Sequence, residues 1–133
     1  MKWLKRAGTV ILLMPLLLAA IFVLYEVFGM CVNHVAARRQ TDRLQMALER
    51  EIPDIQILSS SSETGNLSGT GNHVDCVSSI IFSTGMQMAE IEAGLSEYYQ
   101  FDGWSCFLDK TSDGYYRFYL NTSAPFADNI EGH

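Results

Sequence analysis

One stretch of the chain is richer in hydrogen-bonding groups than a connector needs: residues 63–76, ETGNLSGTGNHVDC. Thr64, Asn66, Ser68, Thr70, Asn72 and His73 bring donors and acceptors, on a backbone whose glycines allow close approach. With Asp75, the residues Thr64, Asn66, Thr70, Asn72 and His73 are the expected grip for a small polar ligand or a partner's backbone. Thr64-Gly65-Asn66 is echoed by Thr70-Gly71-Asn72, which invites comparison with phosphate loops. No Lys-Ser/Thr follows, however, and no strand-to-helix transition frames the repeat. The same composition also suits a plain flexible connection between two strands.

His73-x-Asp75 supplies a general base or two metal ligands. A tetrahedral site needs more convergent groups, and only Glu131 and His133 are on offer. Neither a metal nor any other cofactor is therefore expected. Cys76 as a nucleophile would need exposure and activation, whereas its place in a strand pattern points inward. No catalytic set emerges, so a non-enzymatic protein is expected. Tyr98, Tyr99, Tyr115, Tyr116 and Tyr119 cluster in the second half, and Tyr115, Tyr119 and Phe107 share one predicted sheet face. Such a face serves either as a surface for protein or glycan, or simply as cross-strand packing.

The elements that must position these residues follow from periodicity. Residues 9–30 read TVILLMPLLLAAIFVLYEVFGM, 22 residues with Glu26 as the sole charge. About 20 residues at 1.5 Å rise cross a bilayer, and a signal h-region usually has only 7–15, so a retained transmembrane helix is expected. Trp3 and Tyr25 suit the two interfaces, and Glu26 the outer one. Pro15 is tolerated in such a helix. Lys2, Lys5 and Arg6 precede the span, and Arg38, Arg39, Arg43 and Arg50 follow it, so the positive-inside count is nearly tied. The short basic start resembles an export signal's n-region, and the cysteines suit an oxidising compartment; both favour the N-terminus inside.

Beyond the span, Ala37, Thr41, Leu44, Leu48 and Ile52 recur at steps of three and four, predicting a juxtamembrane helix over 31–53 that Pro53 stops. A strand is expected over 54–60 and another over 73–83, with Val74, Cys76, Ile80 and Phe82 on one face. Thr84 and Gln87 have the form of a capping box opening a helix to about Tyr99, with Met88, Ile91, Leu95 and Tyr98 as its core stripe. Two final strands alternate around Ser112-Asp113-Gly114. Pairing Leu108 with Phe118 requires Thr111 opposite Tyr115, and a three-residue loop with Gly114 left-handed. The same register sets Asp109 opposite Arg117 and Phe107 opposite Tyr119. Cys76 and Cys106 lie on inward faces of the strands flanking the second helix, so a disulfide is expected if those strands are neighbours. Cys31 is left over.

The fold class is thus α+β: a transmembrane helix, then a two-layer helix-β-β-helix-β-β domain with an antiparallel sheet. The expected division is a basic tail (1–8), a span (9–30), a juxtamembrane helix (31–53) and an extracytoplasmic domain (54–133). Residues 44–133 carry three basic residues against thirteen acidic ones, a net −10 that repels nucleic acid and anionic headgroups. Helix-anchored pilin-like proteins share the general layout, but Gly8-Thr9-Val10 lacks the aromatic start and early Glu of their processing signal, and the chain is not assigned to them. Expected partners are membrane lipid through 9–30 and an envelope protein, with no nucleic acid. The expected function is a membrane-anchored interaction or accessory module; the alternative is a polar-ligand sensor using loop 63–76.

Overall fold

The computed structural model describes residues 2–69 and 71–133, with side chains from Gly8 onward except Thr9. Thr70 and the side chains of Lys2, Trp3, Lys5 and Arg6 lie outside what is described. The first helix, α1 (Lys2–Glu51), stays helical through Pro15 and joins the expected span and juxtamembrane helix into one element. Its two halves have different surroundings. Large apolar side chains from Val10 to Phe28 are 50–74% exposed, so no protein core covers them. This part is long and apolar enough to cross a membrane. From Ala37 onward, the stripe Ala37, Thr41, Leu44, Leu48 and Ile52 is buried, as its spacing predicts.

That stripe packs on a four-stranded antiparallel sheet of β1 (Gln56–Gly65), β2 (Asp75–Ser83), β3 (Cys106–Lys110) and β4 (Tyr116–Ser123), in the order β1-β2-β4-β3. A short helix, α2 (Met88–Leu95), joins β2 to β3, and a 3-10 turn, Ile130–Gly132, lies near the end. Leu44, Leu48 and Ile52 meet Ile80, Phe82, Cys106, Leu108, Tyr116 and Phe118 from the sheet, with Ile91 and Leu95 from α2 closing one side. The chain is α+β, with helices and sheet as two layers.

The β3–β4 hairpin has the register its alternation predicts: Leu108 opposes Phe118, Asp109 opposes Arg117 and Phe107 opposes Tyr119. Thr111 N donates to Tyr115 O over 2.8 Å, and Gly114 sits at φ +85°, where a Cβ would be strained. Three other expectations change. Strand β1 does not stop at residue 60 but runs through Ser59–Ser62 to Gly65, because a ladder needs only backbone groups and β2 supplies the partner. A register irregularity near Leu58 leaves that side chain outside. Helix α2 opens at Gln87, whose N–H bonds to Glu90 Oε2 over 2.8 Å, not at Thr84. Thr84 instead donates its hydroxyl to Asp54, and Gly85 N bonds the same carboxylate. Because α2 ends at Leu95, Tyr98 turns outward under Arg50 and Tyr99 takes the core place against Phe118.

The expected Cys76–Cys106 disulfide is absent; both thiols are free and buried. Strand β4 lies between β2 and β3, with Cys76 opposite Thr122 and Cys106 opposite Leu120. Two inter-strand steps of about 4.8 Å exceed the roughly 7 Å that a disulfide spans between Cα atoms. Burial pushes both thiols up, Cys106 to about 11. In mildly alkaline detergent solution, a thiol reagent is expected to titrate exposed Cys31 quickly and the other two only on denaturation. Fewer than three reactive thiols in denatured, unreduced protein would contradict this arrangement.

Candidate functional site

Of the residues singled out in 63–76, those that are described do not converge on one point; they divide between the two faces of the sheet. Thr64, at the end of β1, turns to the helix side, where its hydroxyl donates to Glu131 Oε1 over 3.1 Å and lies 3.2 Å from His34 Nε2. His34 itself is 2.8 Å from Glu131. Asn66 donates to Gly71 O and Gly132 O, tying the loop to the final segment. Asn72 is exposed. His73 Nε2 lies 3.0 Å from Ser123 Oγ and 3.5 Å from Asp75 Oδ1.

That trio is not a Ser-His-Asp relay. A relay uses opposite ring nitrogens for serine and carboxylate, whereas here one nitrogen faces both. Asp75 is buried at 4% exposure, and its Oδ2 accepts the Ser68 N–H over 2.8 Å, so its observed work is to pin the loop. Glu131, once paired in sequence with His133, turns to His34 and Thr64 instead. Among the described residues no three His, Cys, Asp or Glu side chains converge on a metal position.

Pinned by Asp75, the loop forms one wall of a cleft on the sheet face away from α1. Leu67 and Ser68 make this wall, Gly103 and Trp104 the other, and Phe107, Tyr119 and Asn121 line it between them. Its volume of about 310 Å³ sits at the low end for small-molecule clefts. Phe107 and Tyr119 stack at 4.7 Å between centroids, which satisfies the cross-strand expectation for this pair. Arg117 pairs with Asp109 at the far end of the same face. Of the other tyrosines, Tyr116 is buried against Phe82 and donates to Met86 O, while Tyr115 is exposed. The cleft therefore joins the polar loop and the aromatic face, which the sequence presents as separate candidates.

Trp104 and Asn121 were not among the expected site residues. Trp104 is 76% exposed, yet its backbone is tightly held. Asp102 Oδ1 accepts the N–H groups of Trp104, Ser105 and Cys106 at 2.8–2.9 Å, and Gly103 takes φ +75°. Asp102-Gly103 is a turn signal readable in sequence. Asn121 Oδ1 is buried without a hydrogen-bond partner among the described residues, an orphaned acceptor beside the aromatic rings. Tyr119 has its hydroxyl pushed up by burial and by the nearby negative charges of Asp75 and Glu63.

The Ser105 hydroxyl, with the N–H groups of Cys106 and Trp104, holds the Asp102 carboxyl well below the usual carboxylate range. A depressed pKa gives a contribution that is present above the ordinary value and lost as pH falls through the lower one. In a Trp3→Phe background, Trp104 emission is expected to stay constant as pH falls through about 4 and to change only below it. A transition centred near the ordinary value would show that these donors do not hold the carboxylate.

The fold and cleft define a class only: a small α+β domain carried on an N-terminal helix long and apolar enough to span a bilayer. Compared with known protein families, curated proteins and solved structures, the chain matches none.

Proposed function

We propose that this protein is a membrane-anchored, non-enzymatic interaction module whose domain stands on the extracytoplasmic side. The observation that carries the reading is the continuity of α1. The same helix that exposes an apolar shell from Val10 to Phe28 supplies Leu44 and Leu48 to the domain core. A domain whose core includes the anchor is held at a fixed height and orientation, which favours presenting a surface over searching for a diffusing substrate. The final segment reinforces this. Asn33 bonds both backbone groups of Phe126, and Asn129 Nδ2 and Ile130 N bond Glu26. Sidedness rests on the short basic stretch Lys2–Arg6 alone, since the unpaired cysteines lend it no support.

Cross-linking in intact cells, then detergent capture of the full chain, is expected to recover one stable envelope protein. Recovery of the chain only with itself would overturn the reading. Protease added to right-side-out vesicles is expected to cut the domain; protection until lysis would reverse the sidedness.

A second reading is favoured by Trp104 and the orphaned Asn121 Oδ1: the cleft binds a small neutral polar ligand, with a sugar-like ring stacked on the indole and a hydroxyl given to Asn121. Titration of Trp104 fluorescence with neutral saccharides tests it. Absence of any change, in wild type as in Asn121→Ala, would reject it.

A further inference from the structure

We propose that α1 carries a binding trough for an anionic phospholipid of the adjoining leaflet, with Arg39 and Arg43 receiving the phosphate; this rests on the membrane-anchored reading above. Two hollows lie end to end along the helix and share Ala36 and Arg39. The lower, of about 360 Å³, is walled by Cys31, Val32, Val35 and Pro125. The upper, of about 380 Å³, is walled by Arg43, Tyr99 and Leu120. The lining of the lower one includes the exposed Cys31, next to the end of the apolar run, which puts the hollow within reach of an acyl chain from the bilayer.

Pro125 stands where it does because the final segment is fastened to the helix. Gly29 makes room for that fastening: a Cβ there would lie 2.6 Å from Asn129 Nδ2 and 3.2 Å from Phe126. Phe126 packs edge-on against Tyr25 and Phe28. The trough is thus built jointly by the anchor and the domain, at the level where lipid meets water.

Its upper end is basic in an otherwise acidic domain. Arg39 and Arg43 are one helical turn apart, and neither makes an ion pair among the described residues, although Asp42 lies beside them in sequence. At 1.5 Å per residue, Arg39 sits about 13 Å beyond Met30, and a long side chain bent back toward the headgroups brings its guanidinium to phosphate depth. Guanidinium forks match phosphate oxygens, and Arg43 one turn higher extends the positive site. Charge complementarity and continuity with the span both specify a lipid over a soluble anion, which would have no use for the apolar lower half.

The test uses the full chain, delipidated in mild detergent and re-equilibrated with phosphatidylglycerol or phosphatidylcholine, with bound lipid counted by native mass spectrometry. Wild type is expected to retain phosphatidylglycerol preferentially, and Arg39→Gln/Arg43→Gln to retain about thirtyfold less. Val35→Trp fills the exposed apolar half without changing charge and is expected to lower retention as well. Equal retention by the charge variant, or by Val35→Trp, overturns the trough, as does displacement of the lipid by glycerol phosphate, which would mark a free-anion site. Arginine-dependent capture of an acidic protein with unchanged lipid retention also overturns it. Alkaline extraction of membranes separates the two readings. Release of wild type defeats the anchor itself, whereas retention combined with arginine-independent lipid binding defeats the trough alone.

Discussion

Replacing Phe118 by alanine is expected to remove about 3–5 kcal/mol of domain stability, the usual cost of emptying an aromatic site in a packed core. Phe118 is fully buried on interior strand β4, with Tyr99 and Phe101 edge-on at 5.3 and 5.5 Å between centroids. Those rings come from the segment after α2, so the vacancy would loosen that connection as well as the sheet. A domain of about 100 residues typically has 5–15 kcal/mol in total, so the variant should be marginal at best. Thermal unfolding in detergent is expected to move down by roughly 15–30 °C. Tyr115→Ala, on an exposed ring, should change stability by no more than about 0.5 kcal/mol. Comparable losses from the two variants would show that the core is not centred where the structure puts it.

The second large effect is local. Asn33 is completely buried, accepts the Phe126 N–H over 2.9 Å and donates to the Phe126 carbonyl over 3.0 Å. Leucine keeps the size but strands both backbone groups, at about 1–3 kcal/mol each. The final segment should then detach instead of staying docked with unmet groups. In Asn33→Leu, amide exchange at Phe126 is expected to accelerate by about a hundredfold or more while Ile80 and Phe118 stay protected. Unchanged protection at Phe126 would refute the clamp.

Much of the framework was legible in the residues, for physical reasons that differ by element. The α1 stripe and the β3–β4 hairpin rest on local periodicity and on directly opposed pairs such as Asp109 with Arg117. Strand order was not legible, because β2 finds β4 across more than thirty intervening residues and side-chain alternation does not say which edge is taken. That single unknown also undid the disulfide. The serines of β1 look like a loop by composition, yet their backbone pairs fully with β2. Asn33 resembles any polar residue on a wet helix face, and only the return of Phe126 some 93 positions later buries it. In the candidate cleft, the Asp102-Gly103 turn was visible locally. The folding of Leu67 and Ser68 over the aromatic face was not: Asp75 pins the loop from seven residues away, but the rings it meets come from residues 104–121.

The unbroken helix also makes angle and height a single variable. One residue added within the exposed apolar half, below the Glu26 and Gly29 contacts, would swing the whole sheet by about 100° around the helix axis and lift it by about 1.5 Å, leaving its internal packing untouched. Any neighbour gripping both shaft and sheet would feel such an insertion as a change of azimuth, so residue spacing in the apolar run acts as a compass setting for the domain.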